Sequence, residues 1–190
     1  MGALFFAVRL HPVQQQRCSR WLSRVFPLRP GLSPVAPEDL HFTVLFLGSL
    51  SPAKVGLALS LGSLVASAAQ PFPLLPAGLG WFGAALRPRV IWLGAEEGEE
   101  SLQSLNRDLT RHAAEAGLPH DSKNFVAHCT VARVRRRLDP GEMRCLEVLR
   151  HQLAQDPGEP TQAERLELLH SVPATGGGAR YRTVADFKFG

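Results

Sequence analysis

The sequence predicts a single domain, residues 1–190, in which β-strands alternate with three or four helices. Two observations support this fold. Short apolar runs rich in Phe and Val are each followed by a segment whose apolar residues recur at helical spacing. A strand-like motif near residue 41 recurs near residue 128, and each copy follows a predicted helix, which is typical of a duplicated half-domain.

The predicted elements follow from apolar periodicity and from residues that begin or end helices. Ser51-Pro52 and Asp139-Pro140 are typical helix starts, and Gly117 is typical of a helix end. In the first part of the chain we expect a strand at 4–10, a helix with Cys18, Trp21, Leu22, Val25 and Phe26, a strand at 40–47 and a helix at 52–69. A Pro-rich connection with Pro71, Pro73 and Pro76 then leads to strands at 79–82 and 89–93 and to a helix with Leu102, Leu105, Leu109 and Ala113. The last part has a strand at 125–134, a helix with Leu146, Leu149 and Leu153, and strands at 165–170 and 180–189 around a turn at 176–178.

The composition argues against a membrane-embedded or disulfide-linked protein. Apolar residues make up 45% of the chain, yet no apolar run reaches the roughly 18 residues of a membrane-spanning helix. The first ten residues lack the pattern of a secretory signal, so we expect a cytoplasmic protein, and we expect it to be a monomer. Cys18, Cys129 and Cys145 form no CxxC pair, which argues against a structural zinc site. The formal net charge of +4 fits a nucleic-acid partner without being specific for one.

The most informative residues are two histidines, each in a His-x-Thr-x pattern. Because alternate side chains of a strand point to the same face, His41 is expected beside Thr43, and His128 beside Thr130. An unpaired imidazole or hydroxyl costs about 1–3 kcal/mol when buried, so a strand core rarely contains such pairs. Two such strands side by side would form a groove lined by two imidazoles and two hydroxyls.

This set of groups suits attack on a phosphodiester. One neutral histidine can accept a proton from water while the other, protonated, donates to the leaving ribose oxygen. The hydroxyls of Thr43 and Thr130 can donate hydrogen bonds to the non-bridging phosphate oxygens, where negative charge increases in the transition state. The arrangement needs no metal and no cofactor.

Other interpretations of these residues are weaker. A single His-x-Thr match arises by chance in many proteins, but two matches in strand-like settings do not share that weakness. The chief chemical alternative is a metal site formed by His41, His128 and Cys129. Adjacent residues of a strand point to opposite faces, which argues against His128 and Cys129 as ligands of one metal.

Further candidates carry less specific signals. The run at 135–137 is either a phosphate-binding patch or a solvated group of charges. Phe6, Trp81 and Phe82 are either base-stacking residues at the rim of the groove or core residues, and Phe6 is the one assigned to substrate binding.

With both motifs in view, the chain resembles the two-histidine phosphoesterase superfamily. Within it, the chain is most similar to the RNA 2′,3′-cyclic phosphodiesterases that were once named 2′-5′ RNA ligases. The resemblance extends over nearly the full length and rests on residues 4–8, 37–48, 89–94, 125–133 and 177–181. One departure is Val126-Ala127, where family members often have His-Pro before the second catalytic histidine.

The resemblance implies a bilobal α+β fold in which two antiparallel sheets flank a central cleft, helices lie outside, and each lobe contributes one motif. It implies hydrolysis of a 2′,3′-cyclic phosphate at an RNA end, or on a nucleotide, to a 2′-phosphate. His41 would be the proton donor and His128 the proton acceptor. Arg133 matches a phosphate-side arginine of the family, but strand parity places it opposite His128 and Thr130, so a bulge is required to bring it to the site.

The sequence leaves two other functions open. The first is a nucleotide- or RNA-binding module without efficient catalysis. The two histidines argue against it, because Arg or Lys side chains would bind phosphate equally well. The second is the same chemistry on another cyclic phosphate or on a 2′,5′-linked oligonucleotide, including the reverse 2′-5′ ligation.

Overall fold

The computed structural model describes residues 2–25, 31–84, 87–121, 124–173 and 179–190. The elements in chain order are β1 (Leu4–Arg9), α1 (Pro12–Val25), β2 (Leu32–Pro34), a short 3-10 helix (Pro37–Asp39), β3 (His41–Gly48), α2 (Pro52–Ala68), β4 (Phe72–Ala84), β5 (Arg87–Glu97), α3 (Glu99–Glu115), β6 (Cys129–Val134), α4 (Pro140–Gln155), β7 (Thr161–Ala163), β8 (Arg165–Pro173) and β9 (Ala179–Lys188).

The strands form one antiparallel sheet with two halves. The order is β7-β4-β5-β6-β3-β1-β8-β9, and β2 pairs with the free side of β6. The first half comprises β3, β1, β8 and β9, and the second half comprises β6, β5, β4, β7 and β2. In the described residues one pair, Phe42 with Cys129, joins the two halves; we call it the joining pair. The predicted α+β class is confirmed, and the two predicted sheets are the two halves of a single nine-stranded sheet.

Both motif strands carry a β-bulge at the same place. On β3, Val44, which follows Thr43, has no partner in the register with β1. On β6, Val131, which follows Thr130, has no partner in the register with β5. Each bulged residue and its successor are buried, so the bulge reverses the alternation of the strand beyond it. The matching bulges support the duplicated half-domain that the repeated motif predicts.

The helices and the motif side chains lie on opposite faces of the sheet. All four helices of the described chain contribute to one core against the sheet, for example Leu22 of α1 and Leu109 of α3. Phe42 and Cys129 of the joining pair have no exposed surface and belong to this core. We call this side the helix face and the other the site face. The site face has a small apolar cluster that includes Phe5.

The predicted helix boundaries are confirmed. Pro52 begins α2 after Ser51, and Gly117, with φ of 64°, follows the end of α3. At the start of α4, Asp139 and Glu142 form a capping box, in which each side chain accepts a hydrogen bond of 2.8 Å from the other's backbone N–H. None of the helices in the described part of the chain is both long and apolar enough to cross a lipid bilayer.

Three details differ from the predictions. The Pro-rich connection belongs to β4, where Pro73 pairs with β7 and Pro76 adjoins a register shift, a place that tolerates a missing N–H. The strand predicted at 125–134 begins only at Cys129. The short strands β2 and β7 were not predicted, because three residues are too few to show a period. Phe26 and the turn at 176–178 lie outside the described residues.

Candidate active site

The joining pair brings the two motifs together. Its residues point to the helix face, so the residues on either side of them point to the site face. Because the strands run antiparallel and Phe42 lies opposite Cys129, the residue before Phe42 lies across from the residue after Cys129, and the reverse. His41 is therefore across from Thr130, and Thr43 is across from His128. Because the pairing stops after one residue, the strands diverge on both sides and leave a groove. All four predicted residues therefore lie on one face, around a local two-fold axis.

The geometry argues against the metal alternative of the sequence analysis. Cys129 has no exposed surface and lies on the helix face, whereas His41 and His128 lie on the site face. Burial also raises the pKa of the Cys129 thiol well above its ordinary value. The three candidate ligands therefore do not share a site.

Both imidazoles are held in the same way. His41 Nδ1 lies 2.6 Å from the carbonyl oxygen of Asp39, and His128 Nδ1 lies 2.8 Å from that of Val126. Because a carbonyl oxygen only accepts hydrogen bonds, Nδ1 carries the proton in both rings. Nε2 is then the nitrogen that is free to exchange a proton with a substrate. In each motif the hydrogen-bond acceptor is the backbone carbonyl two residues before the histidine, so the two imidazoles have the same tautomer.

The ring next to His41 comes from Phe5, not from Phe6. The centroids of Phe5 and His41 are 5.2 Å apart, and the edge of Tyr181 contacts His41 at 4.8 Å. Phe6 has no exposed surface and packs in the core of the helix face, so its predicted role in substrate binding is wrong. Adjacent strand residues face opposite ways, and the register of β1 against β3 decides which of them reaches the site.

The surroundings of His41 favour its neutral form. The imidazole is half-buried, and burial is the main cause that lowers its pKa from 6.5 to about 4. The positive charges of Arg9 and Arg133 lower the pKa further, against the hydrogen bond to the Asp39 carbonyl. His41 is therefore uncharged at neutral pH while no anion is bound.

His128 lies among rings of the second half. Phe82 meets His128 edge-on with centroids 4.9 Å apart, and Trp92 lies 6.4 Å away. Phe82 and Trp92 also contact each other at 5.3 Å. Of the aromatic candidates for the rim, Phe82 is thus the one that the structure places at the site, with 36% of its surface exposed.

The bulge that Arg133 requires is present. Because Val131 is the extra residue of β6, Arg133 returns to the face of Thr130 and lies opposite Val90 of β5. Its side chain is exposed, and its charge is near enough to lower the pKa of His41. Arg133 therefore lies on the site face, near enough to His41 for its charge to act on that imidazole.

The neighbouring arginine run divides between several partners. Arg136 donates to both carboxylate oxygens of Glu142, at 3.0 and 2.8 Å, and so stabilises the start of α4. Arg135 donates to the hydroxyl of Ser33 at 3.3 Å, and Arg137 is exposed. The run is therefore not one continuous phosphate-binding patch.

A polar network beside His41 was missed by sequence reasoning. Its centre is Asp39, which is only 4% exposed and lies 3.4 Å from Arg180 Nε and 3.9 Å from Arg9 Nη1. The backbone N–H of Tyr181 also donates to its carboxylate, at 3.4 Å. Asp39 therefore fixes the carbonyl that holds His41 and the strand that supplies Tyr181. Burial is the main cause that raises the pKa of this carboxyl.

Glu167 extends this network along the first half. Its carboxylate binds Arg9 Nε at 3.2 Å and accepts from the hydroxyl of Thr183 at 2.9 Å. The partners come from β1, β8 and β9, which are far apart in sequence. No local pattern indicates such contacts, since they depend on strand register.

Comparison with known proteins agrees with this geometry. Residues 12–172 match the family model described as the 2′-5′ RNA ligase superfamily. The chain belongs to this superfamily. The match includes both His-x-Thr motifs and all four helices.

Curated members of the 2′-5′ RNA ligase superfamily are similar over much of the chain. An RNA 2′,3′-cyclic phosphodiesterase of Aquifex aeolicus is 32% identical over 157 residues, which is 82% of this chain and 81% of the relative. A protein of the same name from Geobacillus stearothermophilus is 36% identical over 129 residues, which is 68% of this chain but 41% of the relative. The chain thus spans less than half of that second protein.

A solved superfamily member has the same fold. The crystal structure of Escherichia coli LigT complexed with 3′-AMP superposes with a TM-score of 0.75 at 25% sequence identity. The superposition covers 99% of this chain and 98% of LigT.

Proposed function

We propose that this protein hydrolyses 2′,3′-cyclic phosphates at RNA ends to 2′-phosphomonoesters, with His41 and His128 as acid and base. The observation that carries the proposal is the pair of imidazoles from opposite halves, each with Nδ1 bound to a carbonyl and Nε2 free. The relatives named RNA 2′,3′-cyclic phosphodiesterase indicate the substrate, and 3′-AMP bound to LigT is consistent with a nucleotide at this fold. These names do not support the alternative of a non-catalytic binding module.

The proposed reaction gives the two histidines the acid and base roles that the resemblance to the family implies. His128 Nε2 accepts a proton from water, and the water oxygen forms the new bond to phosphorus. The bond from phosphorus to O3′ breaks, and His41 Nε2 donates its proton to O3′. Thr43 and Thr130 donate to the non-bridging oxygens, while the guanidinium of Arg133 adds a charged hydrogen bond. The products are a 2′-phosphate and a free 3′-hydroxyl.

Substrate binding supplies the charge that His41 lacks in the free enzyme. Burial, together with the neighbouring positive charges of Arg9 and Arg133, lowers its pKa to about 4. A phosphate anion between the histidines offsets these charges and raises the pKa of His41. The proton that His41 donates is thus taken up together with the anionic substrate.

The direct test is turnover of an RNA oligonucleotide with a 2′,3′-cyclic phosphate end in the presence of EDTA. We expect conversion to a 2′-phosphate, and a loss of about 10²- to 10⁴-fold in kcat for His41→Gln and for His128→Gln. His151→Gln is the matched control, because His151 is exposed on α4, away from the site face. Turnover that survives in both active-site variants, or that disappears with EDTA, would contradict the proposal.

A further inference from the structure

Four exposed arginines lie together on the second half of the sheet. Arg133 lies on β6, Arg135 comes directly after the end of that strand, and Arg87 and Arg89 lie on the adjacent β5. We call these four residues the arginine strip. They are distinct from Arg136, whose charge is taken up by Glu142.

The arginine strip faces the same side as the histidines. Arg133 reaches the site face through the β6 bulge, and Arg135 follows it by one strand period and bonds to Ser33, which pairs with Arg133. On β5, Pro88 is buried whereas Arg87 and Arg89 on either side of it are exposed. Arg89 is the extra residue of a bulge in β5. Val90 pairs with Phe82 of β4 and Pro88 pairs with Gly83, so Arg89 between them has no partner on β4.

The strip begins at the active site and leads away from it. Thr130 pairs with Trp92, and the two antiparallel strands stay paired as far as Arg133 opposite Val90. Arg87 lies on β5 beyond this pair, and Arg135 lies beyond the end of β6, where its backbone N–H donates to the carbonyl of Gly31 at 2.8 Å. Arg135 lies two residues beyond Arg133, and at about 3.3 Å per residue the strip therefore extends roughly 7 Å beyond Arg133. A linear ligand with one end between the histidines can therefore lie along it.

The charges of the strip are not neutralised by the protein. Among the described residues, none of the four arginines forms an ion pair, and the one hydrogen bond is that of Arg135 to Ser33. On the helix side, by contrast, Arg111 lies between Asp108 and Glu115, at 3.3 and 3.5 Å. Unpaired guanidinium groups on adjacent strands repel one another and attract a polyanion.

An exposed aromatic ring lies next to the strip. Phe82 of β4 pairs with Val90 of β5, which in turn pairs with Arg133, and 36% of its surface is exposed. Basic side chains beside an exposed ring are typical of surfaces that bind single-stranded nucleic acid, because the ring stacks on bases and the charges follow the backbone.

We propose that the arginine strip binds the phosphates of the RNA nucleotides upstream of the cyclic phosphate. Guanidinium groups bind phosphate oxygens bidentately, and the strip is aligned with a chain that leaves the active site. The enzyme then acts on oligonucleotide ends in preference to cyclic mononucleotides. This inference rests on the proposed function, since it takes the cyclic phosphate to lie between His41 and His128.

The test compares a long and a short substrate in charge-reversal variants. We expect Arg87→Glu/Arg89→Glu, and Arg135→Glu, to raise the KM for a ten-nucleotide RNA with a cyclic phosphate end by about tenfold or more. The KM for adenosine 2′,3′-cyclic phosphate should change less than twofold. The matched control is Arg107→Glu/Arg144→Glu, a double reversal at exposed arginines of α3 and α4, which should leave both KM values within twofold.

Salt provides a second readout on the same proteins. The logarithm of KM for the oligonucleotide should rise with the logarithm of salt concentration, with a slope of about 0.7 for each phosphate contact. The Arg87→Glu/Arg89→Glu variant should lose about 1.4 of that slope. Equal effects on both substrates, an unchanged slope, or the same result in the Arg107→Glu/Arg144→Glu control would overturn the inference.

Binding separates this inference from the proposed catalysis. Fluorescence anisotropy of a labelled oligonucleotide with a 3′-phosphate requires no turnover. Binding that weakens in Arg87→Glu/Arg89→Glu but not in the control supports the strip even if no hydrolysis is found. Hydrolysis with unchanged binding supports only the proposed function. Displacement by polyglutamate as effective as by RNA would assign the strip to acidic proteins and overturn its role in RNA binding.

Discussion

The two halves of the sheet share their motif strands but differ in how the surrounding charges are balanced. In the first half, Arg9 and Arg180 are paired with Asp39, and Arg9 also with Glu167. In the second half, the arginine strip has no acidic partner among the described residues. The histidine, the threonine and the bulge occur in both halves, whereas the flanking charges differ.

The position five residues after each histidine shows the same divergence. The matching bulges make Phe46 of β3 and Arg133 of β6 equivalent, and both side chains are exposed. The first half thus has a ring where the second has a cation. This difference breaks the local two-fold symmetry of the site, because a guanidinium can bind an anionic group on one side of the axis only.

The motif threonine is common to the two halves, and replacing it should give the largest effect, a loss of catalytic rate. We expect Thr43→Val and Thr130→Val each to lower kcat by about 10²-fold, because each removes one donor to the developing phosphate charge. The measurement is single-turnover hydrolysis of the cyclic phosphate end. Thr43→Ser and Thr130→Ser keep the hydroxyl and serve as controls. A normal rate in either valine variant would break the functional equivalence of the halves.

The next largest effect is on the free energy of unfolding, and it tests the difference between the paired arginines of the first half and the arginine strip of the second. Asp39→Asn leaves Arg9 and Arg180 without their buried carboxylate and should lower the free energy of unfolding by about 2 to 3 kcal/mol, because Arg9 keeps Glu167 and Arg180 keeps Glu38. Arg133→Gln in the second half should change it by less than about 0.5 kcal/mol, since this exposed arginine has no ion-pair partner in the part of the chain that the structure describes. Urea denaturation measures both values. Equal stability of the two variants would remove the distinction between the halves.

The smallest effect is the pH dependence of stability that His41 introduces. Its pKa is about 4 in the folded protein and 6.5 as the ordinary value, so between these pH values the unfolded chain binds a proton that the folded protein excludes. Stability therefore falls as the pH is lowered from 6.5 to 4. The shift corresponds to about 3 kcal/mol, and we expect about 2 kcal/mol because the imidazole is only half-buried.

The variant His41→Gln isolates this contribution. It should lose less stability than the wild type between pH 6.5 and pH 4, and the difference between the two proteins is the measured quantity. Chemical denaturation at half-unit pH intervals provides the curves. Parallel curves would show that His41 is not desolvated in the folded protein.

Local sequence features predicted much of this molecule. Alternation within a strand is a local property, and it correctly placed His41 with Thr43 and His128 with Thr130 on one face. It also showed that Arg133 needed a bulge, which is present. Helix starts were predicted from N-cap and proline chemistry, which involves neighbouring residues only.

Other features depended on partners far away in the sequence. The ring next to His41 belongs to Phe5 and not to the predicted Phe6, because the register of β1 against β3, which decides between them, has no local signal in the sequence. The contacts of Asp39 with Arg9 and Arg180 join three separate segments. The arginine strip arises only when β5 and β6 pair, since neither strand alone shows a row of four charges.

The sequence by itself thus determined the reacting groups, the order of elements and the face on which each motif side chain lies, because those depend on periods of two and 3.6 residues along the chain. The tertiary structure decided which strands meet, which ring contacts His41 and which arginines stay unpaired. The physical reason is that register and burial are set by the packing of whole strands and helices against one another, which no short stretch of sequence specifies.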